Sequence, residues 1–233
     1  NSPLIFVDPT GMSGIAYLTG EKNKEGKPIV RVVTNIYIYG EGATINRAKL
    51  IQEEANLLYN NGGDFFTTSI DGIDYEVQFQ FDSKIIDEKD VNSKMIEGDY
   101  YNLNAENNFY EVRDDIESSV TLTVVGGNTG ALKTSDIDDD SKSLSHELNH
   151  GYNGINLCRV RIPMHNDDPN IAVPKNRTTS PKDRRVTQEN IDYIFKDVSF
   201  KNDNKANLGT ARPFKYDKSS PGNSIQIPQD STK

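Results

Sequence analysis

The sequence has little cysteine, little histidine and a deficit of positive charge. Among 233 residues there is one cysteine and there are three histidines, and 26 Lys+Arg stand against 35 Asp+Glu, for a formal net charge of −9. Because Cys158 has no second cysteine to pair with, an internal disulfide is excluded. Nucleic-acid binding depends on clustered cations, so this composition disfavours nucleic acid as a partner.

Long apolar runs are also lacking. Apolar stretches such as residues 29–33, which Arg31 interrupts, and residues 36–39 are far short of the roughly 20 residues that cross a bilayer, so we expect no membrane insertion. The chain begins with Asn1, and no basic stretch precedes an apolar one as in a signal peptide. We therefore expect a piece of a longer protein whose targeting information lies elsewhere.

The hydrophobic pattern predicts a mixed α+β domain with a mostly antiparallel sheet. Tyr75, Val77, Phe79 and Phe81 alternate with polar residues, which indicates a strand with one buried face. Apolar residues at helical spacing follow Thr44, a suitable N-cap. The predicted strands are 15–18, 29–39, 65–70, 75–81 and 120–125. One predicted helix follows Thr44, a second lies near Ser141 and a third spans 187–196. Residues 83–117 are interpreted as an irregular insertion.

The sharpest motif is His146-Glu-Leu-Asn-His150, an H-E-x-x-H sequence in a helical window. Four residues of an α-helix advance about 6 Å and slightly more than one turn, so His146 and His150 would lie one above the other. Two imidazoles so placed can bind one Zn²⁺. Glu147 would lie beside the open metal position, where a carboxylate can accept a proton from a zinc-bound water. The motif therefore predicts a catalytic zinc site.

A catalytic zinc needs a third protein ligand and one open position. A histidine six residues after His150 would give the metzincin pattern, but Asn156 stands there, so that pattern is excluded. Glu189 lies on the predicted helix 187–196, and a ligand on a rigid element is easier to pre-organise than one in a loop. We predict Glu189 as the third ligand. The alternatives are His165, Asp183 and Asp192.

Two features precede the motif. The strand at 120–125 is interpreted as a sheet edge over the site, to which an extended substrate could hydrogen-bond. The run of Asp138, Asp139 and Asp140 is interpreted as negative charge at the N-terminus of the helix that carries His146, where the helix dipole stabilises it.

The first twelve residues contain a spaced set of proline, aromatic, acidic and glycine positions: Pro3, Phe6, Asp8, Pro9, Gly11 and Met12. This set resembles the junction that closes the core of RHS-repeat proteins, where an N-P-x-x-F-x-D-P-x-G-[LM] pattern separates the repeat shell from a variable C-terminal toxin. Ser2 is an insertion relative to the common spacing. The resemblance implies self-cleavage after Met12.

A second resemblance involves the segment from Thr187 to Asn190, which is similar to the T-H-x-E-N-x-I-R box that follows H-E-L-x-H in predicted toxin metallopeptidases, themselves similar to an effector family from enteropathogens. Gln188 stands in place of the family's short spacer and its histidine. Residues 208–214 resemble the family's later L-P-x-R segment. The resemblance implies a zincin-like metallopeptidase domain with an active-site H-E-x-x-H helix.

Together these resemblances imply three segments: residues 1–12 as the end of an RHS core, 13–215 as the zincin-like toxin domain, and 216–233 as a flexible C-terminal tail. The implied function is a zinc-dependent metalloendopeptidase, secreted through a specialised secretion system, that hydrolyses a protein of the recipient cell. The implied partners are that protein substrate, a cognate immunity protein and the RHS shell of the parent chain.

The main alternative is a non-catalytic binding payload of an RHS toxin that zinc merely stabilises. It would close the fourth metal position with a protein ligand, such as His165 or Cys158, where the peptidase keeps water. A metal-dependent nuclease is a third possibility, which the acidic composition disfavours.

Overall fold

The computed structural model describes residues 14–95, 105–116, 120–121, 129–139, 145, 185–208, 214–216 and 224–226. In these ranges the chain forms α-helices and β-strands together, as the α+β expectation requires. The strands are β1 (Gly14–Lys22), β2 (Pro28–Tyr39), β3 (Phe66–Ile70), β4 (Ile73–Ile85), β5 (Asn107–Arg113), β6 (Val120–Thr121), β7 (Thr129–Lys133), β8 (Lys205–Leu208), β9 (Phe214–Tyr216) and β10 (Ser224–Gln226), and the helices are α1 (Ile45–Tyr59), α2 (Glu88–Met95), α3 (Thr134–Asp138) and α4 (Gln188–Phe195).

Eight of these strands form one mixed sheet. The order β3-β4-β2-β5-β7-β6 runs across it, and β1 pairs with both β2 and β8. The central strands β4, β2, β5 and β7 are parallel to one another, whereas the pairs β3–β4, β6–β7, β1–β2 and β1–β8 are antiparallel. The sheet is therefore mixed as expected, but its centre is parallel and the expectation of a mostly antiparallel sheet does not hold there.

The alternation in β4 works as the sequence predicts. Tyr75, Val77, Phe79 and Phe81 are buried while the intervening residues are partly or fully exposed. In β2, Val30, Val32 and Thr34 lie directly beside Val77, Phe79 and Phe81 and are buried on the same face. One face of the sheet thus carries the main core, which α1, α3 and α4 cover.

The interpretation of residues 83–117 as an irregular insertion is wrong. Strand β4 continues to Ile85, and the segment also contains α2 and β5. Strand β5 lies between β2 and β7 with its middle residues buried on both faces, so its sequence shows no alternation. The polar side chains at the start of β5 are hydrogen-bonded to the neighbouring strand β2. The Asn35 amide donates to Asn107 Oδ1 at 3.0 Å, and the Asn108 amide donates to the Asn35 carbonyl at 3.3 Å.

Helix α1 begins as predicted at Thr44. The Thr44 hydroxyl accepts a hydrogen bond from the Arg47 backbone N–H at 3.2 Å and so caps one of the free amides of the first turn. Ala48, Ile51, Ala55 and Tyr59 follow at helical spacing and are buried against the sheet. The helix ends at Tyr59, because Asn60 already leaves the helical backbone conformation.

A row of side-chain amides joins α1 to the edge of β4. Strand β3 pairs with β4 only as far as Val77. Beyond that point Asn60 hydrogen-bonds both the N–H (2.8 Å) and the C=O (2.9 Å) of Phe79, and Asn56 does the same for Phe81 (3.3 and 3.2 Å). Gln52 accepts from the Ser83 N–H at 3.0 Å.

The spacing explains why this row of amides works. Positions four apart on a helix are separated by about 6 Å, and positions two apart on a strand by about 6.6 Å, so successive amides meet successive backbone groups along an antiparallel path. The amides therefore replace a neighbouring strand and protect an otherwise open sheet edge.

The remaining predicted elements have mixed outcomes. Of the predicted strand 120–125, Val120 and Thr121 form β6 at the edge of the sheet, and the rest lies outside the described residues. Helix α3 precedes the helical region predicted near Ser141, which also lies outside them. Strands β9 and β10 pair with each other antiparallel. In the part of the chain that the structure describes, no helix is long and apolar enough to span a membrane.

Replacement of Asn60 by alanine tests the amide row. The change leaves the Phe79 N–H and C=O without their partners, and we expect a loss of about 1–3 kcal/mol in the free energy of unfolding, measured by urea denaturation. Asn46→Ala is the matched control, because Asn46 is exposed on the same helix; it should stay within about 0.5 kcal/mol of the parent. Equal effects of the two changes would contradict this role of Asn60.

Candidate functional site

The predicted metal site falls largely outside the described residues. His146, Glu147 and His150 lie there, as do the alternative ligands His165 and Asp183. Glu189 and Asp192 are described, and both are exposed on α4. The geometry around the motif is therefore built from Ser145, which directly precedes His146, and from α4.

Helix α4 forms where the sequence predicts it. Thr187 is the N-cap, and its backbone N–H donates to the Asn190 side chain at 2.9 Å in a capping box. Ile191, Ile194 and Phe195 are buried in the main core. The helix is thus fixed by one apolar face, and Glu189 lies on its exposed side.

Both ends of α4 are tied to the β3–β4 hairpin. At the start of α4, the Gln188 amide donates to the Thr67 carbonyl at the outer edge of β3. Just after its end, the Asp71 carboxylate accepts from the Phe200 N–H at 2.8 Å and from the Ser199 hydroxyl at 2.9 Å. The hydrogen bond from the Phe200 backbone, with that from Ser199, lowers the pKa of Asp71. These contacts hold Glu189 on a rigid element.

Asp192 and Tyr193 make contacts of their own. The Gln188 amide donates to Asp192 Oδ1 at 2.7 Å, one turn along the helix. The Lys196 ammonium lies 3.7 Å from the centre of the Tyr193 ring, a cation–π arrangement. Among the described residues, no group of three His, Cys, Asp or Glu side chains could hold a metal ion.

Ser145 is fully buried against α1. Its hydroxyl donates to Glu54 Oε1 at 2.6 Å, and its backbone N–H points to the same oxygen at 3.3 Å. Its carbonyl accepts from the Tyr59 hydroxyl at 3.0 Å. Ser145, the residue directly before the motif, is therefore held by three hydrogen bonds to one helix.

A second contact fixes the chain before Ser145. The Arg47 guanidinium binds both carboxylate oxygens of Asp138, at 3.0 and 2.6 Å, and also donates to the Gly42 carbonyl at 2.8 Å. Asp138 is the last residue of α3, and its exposed carboxylate is matched to Arg47 on α1. The hydrogen bond from Arg47 lowers the pKa of Asp138.

Ser145 and α4 lie over the same face of the sheet. The ring of Tyr59, which binds Ser145, packs on Phe79 and Phe81 with centroids 5.0 and 5.4 Å away. Phe66 lies directly opposite Val77 and shares their face, and the core residues of α4 belong to the same cluster. The chain entering the H-E-x-x-H sequence and the helix that carries Glu189 are therefore on one side of the sheet.

Comparison with known protein families, with curated proteins and with solved structures finds no match to this chain.

Sequence reasoning misses Glu54, Tyr59 and Arg47. All three read as ordinary residues of an amphipathic helix, and their partners lie 86 to 91 positions further along the chain. The one available signal is that Arg47 and Glu54 are seven residues apart, two helical turns, as are Asp138 and Ser145.

The Arg47–Asp138 pair predicts a pH dependence. A carboxylate with a lowered pKa in the folded state contributes stability above its unfolded pKa of about 3.9, and that contribution disappears as the pH falls through the folded value. The parent should therefore exceed Asp138→Asn in free energy of unfolding by about 0.5–1 kcal/mol at pH 7, a modest gain because solvent screens a half-exposed pair. The gap should shrink as the pH falls below about 3.9 and through the lowered pKa of Asp138. A gap that stayed constant with pH would contradict the ion pair.

Proposed function

We propose that this chain is a zinc-dependent metalloendopeptidase with a zincin-like active site, and that it is the C-terminal toxin of an RHS-type protein. In this proposal His146, His150 and Glu189 hold Zn²⁺, and Glu147 is the general base and then the general acid. The observation that carries the proposal is the H-E-x-x-H sequence, which starts next to a fully buried residue on the sheet face that α4 also covers.

The donor set fits a catalytic zinc. Two imidazoles and one carboxylate are the ligands of several zinc peptidases, and they leave one position for water. Glu189 supports the fit because it is exposed on a helix whose ends and apolar face are fixed. A metal in this set would polarise a bound water and the scissile carbonyl.

The protein's own part in the reaction is proton transfer. The Glu147 carboxylate would take one proton from the attacking water and then deliver it to the amine that leaves as the peptide bond breaks. The charge of the protein gives no reason to expect a polyanionic substrate, which agrees with a protein target. Strand β6 lies at the sheet edge, where an extended peptide can add main-chain hydrogen bonds.

The role of Glu147 is tested by Glu147→Gln. We expect this variant to keep its zinc, measured by elemental analysis after gel filtration, and to lose cleavage of an unstructured protein substrate by a factor of about 100 or more, as general acid–base catalysis contributes about 10²- to 10⁴-fold. Expression of the parent, but not of Glu147→Gln, should arrest growth of the host cell. Full cleavage and toxicity with Glu147→Gln would overturn the peptidase proposal.

The third ligand is tested by paired changes on α4. Glu189→Ala should lose most of the bound zinc, because two imidazoles alone hold the ion weakly. Asp192→Ala is the matched control: Asp192 is an equally exposed carboxylate on the same helix, bound by Gln188. It should keep full zinc. Zinc loss in Asp192→Ala and not in Glu189→Ala would reassign the ligand.

Glu147→Gln and three further variants distinguish the peptidase from the rival function, a non-catalytic payload. A non-catalytic payload stabilised by zinc predicts that His146→Ala loses both metal and fold. It also predicts that Glu147→Gln keeps full toxicity, and that Cys158→Ala or His165→Ala loses zinc, since one of these closes the site. A peptidase predicts zinc retention in both of the last two variants.

A further inference from the structure

Glu54 makes a contact that the core does not require. Its carboxylate is half-buried and accepts from both the hydroxyl and the backbone N–H of a fully buried serine 91 residues away. Apolar packing would stabilise such a position without the cost of taking a charge out of water. A charged acceptor that binds two donors of one residue instead fixes that residue in position and orientation.

The contact has a second half along the same helix. Arg47 binds Asp138 and Glu54 binds Ser145. On α1, Arg47 and Glu54 are seven residues apart, and their partners Asp138 and Ser145 are also seven residues apart. Seven residues are two turns, or about 10 Å along α1. The chain between α3 and the motif is thus attached to α1 at two points, which we call the α1 attachment points.

Helix α1 itself is fixed to the sheet. Its amides hydrogen-bond the edge of β4, and its apolar positions lie in the core. Because α1 is fixed on β4 and Ser145 is hydrogen-bonded to α1, Ser145 is fixed in position relative to β4. His146 follows Ser145 directly, so its Cα is about 3.8 Å from that of Ser145.

We propose that Glu54 is a positioning residue for the metal site: by holding Ser145, it fixes where the H-E-x-x-H sequence begins relative to the face that carries Glu189. This inference rests on the proposed function. Ligands must be held within about 0.5 Å of their productive geometry, and hydrogen bonds that fix the chain beside them supply that accuracy. Loss of Glu54 therefore weakens metal binding.

The chain offers a matched control next to Glu54. Glu53 is exposed on the same helix and lies 3.6 Å from Lys49, one turn away. Glu53→Ala removes an equal charge and side chain without touching Ser145. Glu54→Gln keeps an oxygen that accepts from the Ser145 hydroxyl and N–H, so it serves as the conservative rescue.

The first test uses hydrogen exchange on the metal-free protein, so it does not depend on zinc. In Glu54→Ala, we expect amides of peptides that contain Ser145 to exchange at least ten times faster than in the parent, while β2 and β4 amides keep their rates. Glu53→Ala and Glu54→Gln should resemble the parent. Unchanged exchange around Ser145 in Glu54→Ala would overturn the inference. If Glu54→Ala does not fold, Ser145→Ala, which deletes only the hydroxyl, carries the same test.

The second test measures zinc affinity by competition with a chromophoric chelator. Glu54→Ala should raise the Kd for zinc 10- to 100-fold, with Glu54→Gln within about threefold of the parent and Glu53→Ala unchanged. Equal affinity in Glu54→Ala and the parent would refute the positioning role and leave the peptidase proposal intact. A parent that binds no zinc would refute the peptidase proposal and with it the role of Glu54 at a metal site, while the exchange experiment would still show whether Glu54 holds Ser145.

Discussion

The structure depends on how α1 is joined to β4. Strand β4 has β3 beside it only up to Val77, and the side chains of Asn60, Asn56 and Gln52 bind the backbone of the next residues. Because helix and strand advance by nearly equal distances at these spacings, the helix is fixed in register as a strand would be. The buried side of α1 adds apolar packing on the same strand.

This placement links the sheet to the candidate site. The same helix that seals the edge of β4 presents Arg47 to Asp138 and presents Glu54 and Tyr59 to Ser145. Helix α4 is fixed independently, through Gln188 at β3 and through the Asp71 contacts at the hairpin turn. Two separately supported elements thus lie on one face of the sheet, and the proposed metal site, whose ligands come from distant parts of the chain, requires such support.

Local patterns in the sequence predicted local structure well. The alternation in β4, the Thr44 cap and the helix predicted over 187–196 each depend on residues within a few positions, and the structure confirms them. Strand β5 was missed because burial on both faces removes alternation, and with it the parallel centre of the sheet was missed. The contacts of Ser145 could not be predicted, since a single glutamate on a helix gives no sign of a partner 91 residues away. The motif itself remains a prediction.

The central claim is a zinc ion held by imidazole and carboxylate with one position open, and zinc K-edge X-ray absorption on the purified protein tests it most directly. The account predicts one zinc per chain with a first shell of nitrogen and oxygen at about 2.0–2.1 Å, including scattering from two imidazoles. A sulfur shell at about 2.3 Å, which would indicate Cys158 in a closed site, or a protein that retains no zinc, would contradict it.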